Sequence, residues 1–345
     1  MFSWFKDDST AADIYIDLGT ANTVISARGK GVVVNEPSIV AQVITSNQKR
    51  KIIAVGKDAK EIADKQTGNI VIQKPIKDGV IADFDSAEYL LKYFLSHPRV
   101  KAHYPSPRVV ISLPFGVTEV EKKAVVTACK KAGAKKVYLI DEPMAAAIGA
   151  GLKIKSPVGS MIVDIGGGTT EVAVIALADI VYCEAIRVGG HKIDADIVQY
   201  FRRYKNIVIP ETQAEFLKIS IGTAVPKKDI QTAMITGRDV DSGLPTSMEI
   251  TSEQVGLAMN DSLQEIINAI HKALENTPPE LVSDIIDQGI WLAGGGALIR
   301  DFSLRIQNEV RLPVNIADSP LVAIAKGGER VLNDPTLLEK IQLEI

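Results

Sequence analysis

Residues 161–174 constrain the possible folds of this chain more than any other stretch. Apolar, mostly β-branched residues flank three consecutive glycines, Gly166, Gly167 and Gly168, a pattern that predicts two strands joined by a tight turn. Glycine permits positive φ angles and close backbone approach, and consecutive N–H groups in such a turn form a concave site for an anion. Asp164 lies where the first strand enters the turn, a position from which a carboxylate can hold Mg²⁺ beside phosphate. Taken alone, the pattern favours a plain hairpin with a flexible turn over a phosphate site.

The same plan recurs elsewhere in the chain. Residues 14–24 again give an apolar run, an aspartate (Asp17), a glycine turn and a second apolar run. A third glycine cluster, residues 294–296, follows the apolar run 289–293 and precedes a helical pattern from Ala297, an order typical of a phosphate platform. Two similar hairpins about one domain length apart predict two related halves that face each other. The three clusters together favour nucleotide binding over a plain hairpin.

Six segments spread along the chain resemble the motifs of one protein superfamily. They comprise residues 17–23, 35–38, 77–83, 141–151, 164–172 and 277–281. The sequence is similar to the actin-like ATPases, and within them to the MreB family of bacterial cytoskeletal, rod shape-determining ATPases, over nearly its whole length. The segments 17–23 and 164–172 resemble the two phosphate loops of that family.

The resemblance implies an α/β protein with the actin-like ATPase fold, in which two ribonuclease-H-like domains with four subdomains surround a nucleotide cleft. Domain I is expected at 1–148, with a small subdomain inserted at about 33–76. Domain II is expected at 149–318, with its small subdomain at about 190–255. Residues 319–345 are expected to return to domain I as a C-terminal helix.

The resemblance also implies a site for ATP, with GTP as the alternative, and for Mg²⁺. Asp17 and Asp164 would position the metal, and Glu142 with Thr169 would orient the attacking water. Hydrolysis would then rest on positioning and charge stabilisation, without a side-chain nucleophile. The expected nucleotide contacts are Gly19, Thr20, Ala21, Asn22, Gly166, Gly167, Gly168, Glu215, Lys218, Gly294, Gly295, Gly296 and Ala297.

Four positions depart from the family's pattern. The family usually has a small residue at Phe115, an acidic residue at His191, a polar or small residue at Phe216 and a glutamate at Ser220. The departures at Phe115, His191 and Ser220 keep open a scaffold filament that binds nucleotide with little or no hydrolysis. A small-molecule kinase of the same superfamily is a second alternative, although the sequence shows no motif for an acceptor pocket.

The first five residues are rich in aromatic side chains, in a chain whose aromatic content is only 5%. On a helical turn Met1, Trp4 and Phe5 would share a face. Such a segment can tuck onto the protein or lie in a membrane interface, where Trp and Phe are favourable. Because the family often carries a membrane-binding amphipathic N-terminus, we expect Met1, Phe2, Trp4 and Phe5 to contact the membrane.

Composition limits the cellular setting and the partners. The net charge of −3 gives no general attraction to nucleic acid. No apolar run reaches the roughly 18 residues of a spanning helix, and the start lacks the pattern of a signal peptide. We therefore expect a cytoplasmic protein that does not bind nucleic acid. In that reducing compartment Cys129 and Cys183 are expected to be free thiols. The resemblance implies a homopolymer of paired protofilaments at the inner face of the cell membrane, together with membrane-bound cell-shape proteins.

Local patterns predict several helices and their ends. Capping boxes are expected at Asp85 with Glu88 and at Thr118 with Glu121, and a long helix is expected over 252–275. A helix should run from the third glycine cluster to about Val310. A final helix is expected over 320–332.

Overall fold

The computed structural model describes residues 12–44, 50–64, 69–225 and 230–344. Residue contacts divide the chain into two compact units, one formed by Met1–Ile154 with Val322–Ile345 and the other by Lys155–Leu321. Within the described ranges, no helix combines the length and the apolar character needed to cross a bilayer. The predicted membrane residues Met1, Phe2, Trp4 and Phe5 lie outside the described residues.

The strands and helices are numbered in chain order. The strands are β1 (Ile14–Leu18), β2 (Asn22–Ala27), β3 (Gly31–Pro37), β4 (Val40–Ile44), β5 (Arg50–Val55), β6 (Ile70–Gln73), β7 (Ile76–Lys77), β8 (Val80–Ile81), β9 (Arg108–Leu113), β10 (Lys136–Asp141), β11 (Ser160–Ile165), β12 (Thr170–Ala176), β13 (Asp179–Ile186), β14 (Ile207–Val208), β15 (Thr232–Asp239), β16 (Pro245–Thr251), β17 (Ile290–Ala293) and β18 (Val314–Ile316). The α-helices are α1 (Gly56–Asp64), α2 (Phe84–Leu95), α3 (Pro98–Lys101), α4 (Glu119–Lys131), α5 (Glu142–Ala150), α6 (Gly190–Lys205), α7 (Glu211–Ser220), α8 (Ser252–Glu275), α9 (Pro279–Gln288), α10 (Phe302–Val310), α11 (Ala323–Asn333) and α12 (Pro335–Ile341), and 3-10 helices cover Gly295–Leu298 and Pro320–Val322.

The main sheets of the two units repeat one topology. In the first unit the order is β10-β9-β1-β2-β3, with β1, β2 and β3 antiparallel and β9 and β10 added in parallel. In the second unit the order is β13-β12-β11-β17-β18, again with a three-strand antiparallel meander and two parallel strands. Each sheet places its aspartate-containing strand, β1 or β11, at the centre. The predicted relation between the two hairpins therefore extends to whole sheets.

Smaller sheets complete each unit. The first unit contains the sheet β5-β4-β6 and the two-stranded pair β7-β8, and the second unit contains the sheet β14-β15-β16. In the last of these sheets, β15 and β16 form an antiparallel hairpin.

The first unit buries both faces of its main sheet. Ile14 and Ile16 of β1 pack with α2 and α4 residues in one apolar core. The opposite face meets α11, because Gly328 lies so close to the ring of Tyr15 that a Cβ on this glycine would overlap it. Helices α5 and α11 also cross at backbone contact, since a Cβ on Gly327 would overlap the carbonyl of Ala145. These glycines allow the C-terminal segment to pack directly on the sheet.

Helix boundaries confirm some local predictions and correct others. Thr118 and Glu121 form the predicted capping box of α4, and α8 spans Ser252–Glu275 as predicted. The capping box predicted at Asp85 is wrong, because Asp83 caps α2: its Oδ1 accepts from the backbone N–H of Ser86 at 2.8 Å. Asp85 lies inside the first turn of that helix.

Of two predictions about the last third of the chain, the first is wrong and the second is largely confirmed. The helix expected from Ala297 to Val310 is interrupted, because Asp301 adopts a left-handed conformation with φ of 64° that an α-helix does not accommodate. At this interruption the Asp301 carboxylate accepts from the hydroxyl of Thr223 at 2.9 Å. The helix predicted at 320–332 is a 3-10 turn followed by α11, and α12 then adds a further helix.

Candidate functional site

The glycine turn between β11 and β12 is held from one side by the start of α6. The carbonyl of Gly166 accepts from the N–H of Gly190 at 3.0 Å, and the carbonyl of Gly167 accepts from the N–H of His191 at 2.8 Å. Gly189 permits this approach, since a Cβ there would lie 2.7 Å from the Gly166 carbonyl oxygen. The turn also closes on itself through a 2.9 Å bond from the N–H of Gly166 to the carbonyl of Thr169.

These bonds fix the direction of the turn's N–H groups. In a planar trans peptide the carbonyl and the following N–H point in opposite directions. Because the carbonyls of Gly166 and Gly167 point toward α6, the N–H groups of Gly167 and Gly168 point away from it. Two adjacent N–H groups with a shared direction form an anion-binding concavity. Thr169 follows them and is half-buried.

Asp164 carries an unpartnered oxygen two residues before this turn. The residue is 5% exposed, and its Oδ1 has no hydrogen-bond partner among the described residues. Burial raises the pKa of the Asp164 carboxyl to about 7. An ionised carboxylate at this position requires a positive partner, so the donor set fits a hard divalent cation such as Mg²⁺.

The third glycine cluster packs against the end of β11. Gly294 has φ of 77°, and a Cβ there would lie 2.8 Å from Oδ1 of Asp164. A Cβ on Gly296 would overlap the side chain of Ile165. Gly295 and Gly296 belong to the 3-10 helix, and Ala297 is 1% exposed in the core of the unit. The cluster therefore brings bare backbone to the predicted metal residue of the second unit.

The first glycine turn is braced in a similar way, by Ser38. The Ser38 hydroxyl donates to the carbonyl of Gly19 at 2.6 Å, and the Ser38 N–H donates to the carbonyl of Ala21 at 3.0 Å. The N–H groups of Thr20 and Asn22 consequently point away from Ser38. Asp17 is the penultimate residue of β1 and is 9% exposed.

Thr20 and its neighbours are tied to the β7-β8 hairpin. The Thr20 hydroxyl oxygen accepts from the N–H of Gly79 at 3.0 Å. Gly79 and Asp78 both have positive φ angles, as expected for a two-residue hairpin turn. The segment 77–83 therefore supports the first glycine turn through its hydrogen bond to Thr20.

Glu142 is the first residue of α5 and is 7% exposed. Asp141 is the N-cap and Pro143 follows in the first turn, where its missing N–H costs nothing. A helix N-terminus favours a carboxylate electrostatically. The structure thus places Glu142 as a buried acid at the positive end of a helix in the first unit.

Lys218 is engaged by protein groups. Its Nζ lies 2.8 Å from Oδ1 of Asp194 and donates to the carbonyl of Gly190 at 3.1 Å. Burial raises the pKa of Asp194 to about 6, although the Lys218 cation lowers it. Glu215, three residues before Lys218, is exposed. Of the two predicted contacts on α7, only Lys218 is linked to the glycine turn through these residues.

The departures from the family's pattern lie in different surroundings. The backbone of His191 holds the second glycine turn, whereas Phe115 is 37% exposed beside Pro114. Phe216 is 55% exposed on α7. Ser220 turns its hydroxyl back onto the carbonyl of Phe216 at 2.6 Å.

Several supporting residues had no role in the sequence-based prediction. Ser38 and Gly79 lie in segments that resemble the family's motifs, yet their spacing gives no sign that they brace the first turn. Gly189 and Asp194 support the second turn in the same indirect way. The glycine pair Gly189–Gly190 is the sequence signal that could have pointed to this support.

Comparison with known proteins places the chain in a family. A family model described as MreB/Mbl protein matches residues 11–340. The chain is 43% identical over 333 residues to the cell shape-determining protein Mbl of Bacillus subtilis (strain 168), a match covering 96% of this chain and 99% of that protein.

Solved structures agree with that placement. MreB 5 of Spiroplasma citri, crystallised with AMPPNP, matches with a TM-score of 0.89 and 38% identity over 96% of this chain and 98% of that chain. MamK in a double helical filament matches with a TM-score of 0.75 and 20% identity over 93% of this chain and 99% of that chain, a likeness of fold alone. The actin-like fold implied by the sequence motifs is confirmed. The chain belongs to the MreB/Mbl family of bacterial actin-like cell-shape-determining proteins.

Proposed function

We propose that this chain binds ATP with Mg²⁺, hydrolyses it slowly, and polymerises into filaments at the inner face of the cell membrane that organise cell shape. Membership of a family that includes the cell shape-determining protein Mbl of Bacillus subtilis supports the cellular role. The AMPPNP bound by MreB 5 of Spiroplasma citri supports an adenine nucleotide as the ligand.

The proposal of nucleotide binding rests mainly on the geometry of the second glycine turn. Its carbonyls are held at 3.0 and 2.8 Å by the start of α6, which directs the N–H groups of Gly167 and Gly168 away from that helix. These fixed donors bind a phosphate without reorganisation. The turn braced by Ser38 offers the N–H groups of Thr20 and Asn22 to phosphate in the same manner.

Asp164 and Asp17 are the residues that would hold Mg²⁺. The unpartnered Oδ1 of Asp164 supports this assignment most directly. When bound, the cation would neutralise phosphate charge. Asp164, ionised beside it, then has the positive partner that its buried position requires.

Glu142 and Thr169 are proposed to act on the attacking water. Glu142 is buried at the start of α5, where its carboxylate can orient a water molecule and accept its proton. Thr169 ends the phosphate turn and is half-buried, and it would supply a hydroxyl to the attacking water. Slow hydrolysis would follow from positioning alone, without a covalent intermediate.

Filament formation and membrane attachment rest on different observations. The fold is shared with MamK, which forms a double helical filament. Phe2, Trp4 and Phe5 supply an apolar segment that lies well in a lipid interface. A filament would present many copies of this segment at once and so strengthen a weak individual contact.

One set of measurements on the purified chain tests the proposal. Binding of a fluorescent adenine nucleotide would be measured with Mg²⁺ and with EDTA, phosphate release would be followed with ATP, and electron microscopy would be carried out on lipid vesicles. We expect Mg²⁺-dependent binding, slow phosphate release and filaments on vesicles. Filaments without phosphate release would support the scaffold alternative, and phosphate transfer to a small acceptor would support the kinase. Absence of Mg²⁺-dependent nucleotide binding would refute the proposed function.

A further inference from the structure

Ser112 of β9 carries a buried hydroxyl that no group satisfies among the described residues. The residue is 1% exposed, and its Oγ has no hydrogen-bond partner there. A hydroxyl in such a position loses its hydrogen bonds to water without compensation. A buried polar atom of this kind calls for an explanation, either as a tolerated defect or as a group that waits for a partner.

Other buried serines of the first unit are satisfied. Ser26, on β2 of the same sheet, donates to the carbonyl of Ala325 at 3.2 Å. Ser38 donates to the carbonyl of Gly19, and Ser86 accepts from the side-chain amide of Gln42 at 2.9 Å. The unsatisfied hydroxyl of Ser112 is therefore not a general property of serines in this core.

Ser112 shares a face of the sheet with Asp17. Side chains alternate along a strand, and Ile111 and Leu113 belong to the apolar core beneath the sheet together with Ile16. Ser112 and Asp17 accordingly lie on the opposite face, and the β1–β9 register places them directly side by side. Neighbouring strands are about 4.8 Å apart, so the hydroxyl and the carboxylate are adjacent on one face of the sheet.

On its other side, Ser112 lies beside β10, the strand that precedes Glu142 in the chain. In the β9–β10 register Ser112 lies beside Ile140, and two residues later the chain begins α5 with Glu142. Helix α5 contacts β9. Ser112 thus lies between the strand that carries the proposed metal residue and the strand that leads to the proposed water-orienting residue.

We propose that Ser112 is a positioning residue for the metal side of the nucleotide site, an inference that rests on the proposed function. Its hydroxyl hydrogen-bonds a water molecule that Asp17 also contacts once nucleotide and Mg²⁺ are bound. Mg²⁺ usually retains several waters and is held through them, so a fixed hydroxyl beside Asp17 adds a directed partner for that water. The hydroxyl that is costly in the ligand-free protein is then satisfied in the liganded one.

The inference predicts opposite effects of one substitution on the two states. In Ser112→Ala the ligand-free protein should melt at the same temperature as the wild type or higher, because an unsatisfied hydroxyl has been removed. The affinity for AMPPNP with Mg²⁺ should fall by about fivefold, the equivalent of one neutral hydrogen bond. The affinity in EDTA should stay unchanged. Ser112→Cys, which keeps the size and weakens the donor, should give the same pattern if the alanine variant folds poorly.

Ser26→Ala is the matched control. It removes a buried serine hydroxyl from the same face of the same sheet, but one that already has a partner. This variant should lower the melting temperature of the ligand-free protein and leave the ratio of affinities with Mg²⁺ and EDTA unchanged.

Two different results would overturn the inference, and the measurements distinguish between them. An unchanged affinity ratio in Ser112→Ala and Ser112→Cys, with a normal Mg²⁺ dependence in the wild type, would show that Ser112 is only a tolerated defect. A wild type that binds nucleotide equally well with Mg²⁺ and EDTA would remove the proposed function itself, and the role of Ser112 with it.

Discussion

The ammonium group of Lys218 lies 2.8 Å from Oδ1 of Asp194 and also donates to the carbonyl of Gly190, whose N–H donates to the carbonyl of Gly166. A continuous chain of contacts therefore runs from α7 through the start of α6 to the phosphate turn. Lys218 reaches the proposed nucleotide site through its hold on Gly190. Any direct contact with the nucleotide would have to be made by the same, already engaged ammonium group.

Lys218→Met should destabilise the protein strongly at neutral pH. Removing one partner of a buried ion pair leaves an uncompensated charge, which costs about 3–5 kcal/mol of unfolding free energy. Because burial raises the pKa of Asp194 from its usual 3.8 to about 6, the folded protein binds this proton more readily than the unfolded chain. The contribution of Asp194 to stability is thus largest at low pH and falls as the pH rises through 6.

Loss of the cation that lowers this pKa should accentuate that dependence. Urea denaturation should show a large penalty for Lys218→Met at pH 8 and a smaller one at pH 5, where the carboxyl is neutral. The double variant Lys218→Met with Asp194→Asn should regain stability relative to Lys218→Met at pH 8. An equal penalty at both pH values would contradict an ionic role for the pair.

Asp164→Asn should have opposite effects with and without ligand. In EDTA the variant should be more stable than the wild type at pH 8, because the wild type must keep a buried carboxylate ionised above its raised pKa of about 7. The difference should shrink at pH 5, where the wild-type carboxyl is protonated. With Mg²⁺ and AMPPNP the order should reverse, since the variant lacks a charged metal partner. Melting curves in EDTA at pH 8 and pH 5, and with Mg²⁺ and AMPPNP, test this prediction. If Mg²⁺ and AMPPNP raise the melting temperature of the variant as much as that of the wild type, Asp164 is excluded as a metal residue.

Asp164→Ala also tests whether the nucleotide promotes assembly. A ligand favours assembly if it binds the assembly-competent state more tightly. Loss of nucleotide binding should therefore reduce the yield of polymer in sedimentation. A normal polymer yield from protein shown not to bind nucleotide would separate assembly from the nucleotide.

Glu142→Ala should slow phosphate release by at least about tenfold and leave ATP binding almost unchanged, because a water-orienting carboxylate acts mainly in the transition state. Filaments should form with ATP and persist longer, since the bound nucleotide is not hydrolysed. Glu142→Gln keeps the shape of the side chain and should show the same slow release. A carboxylate that only complements the helix dipole of α5 would instead cost about 0.3–1 kcal/mol of stability and leave turnover normal. Single-turnover release and thermal melting on one preparation distinguish the two roles.

Replacing Trp4 and Phe5 by serine should abolish co-sedimentation with liposomes while polymers still form in solution. Complete burial of each such side chain contributes about 1.5–3 kcal/mol, a marginal anchor for a single chain that filaments multiply. Phe216→Ser is the matched control, because it removes an aromatic residue that is 55% exposed on α7 of the second unit. Wild-type pelleting by the Trp4 and Phe5 double variant would refute the N-terminal anchor.

Features encoded within a few neighbouring residues were predictable from the sequence. The two hairpins follow from apolar runs around glycine turns, and the Thr118–Glu121 capping box follows from its spacing. The actin-like fold followed from longer motifs that resemble a family.

Features fixed by distant residues were not predictable in the same way. At the interruption before α10, Asp301 bonds Thr223, which is 78 residues away in the sequence. The bracing of Gly19 by Ser38 and the pairing of Lys218 with Asp194 likewise join different elements. The predicted cap of α2 was wrong for another reason. Asp83 and Asp85 are both suitable N-cap residues, and only the backbone geometry selects Asp83. The roles of the individual site residues stay predictions.

The first unit is built from two pieces of chain separated by the whole second unit. Helix α11, which contributes Gly327 and Gly328 to the contacts with Ala145 and Tyr15, is translated after the whole second unit. The second unit is complete as a nascent chain before α11 has been translated, whereas β1 and α5 wait on the order of ten seconds or more for it. During that interval one face of the β1 sheet is uncovered and its tyrosine and serine side chains lack their native partners. Completion of the first unit therefore waits for the translation of α11, and a chain that stops before α11 lacks the cover of its first sheet.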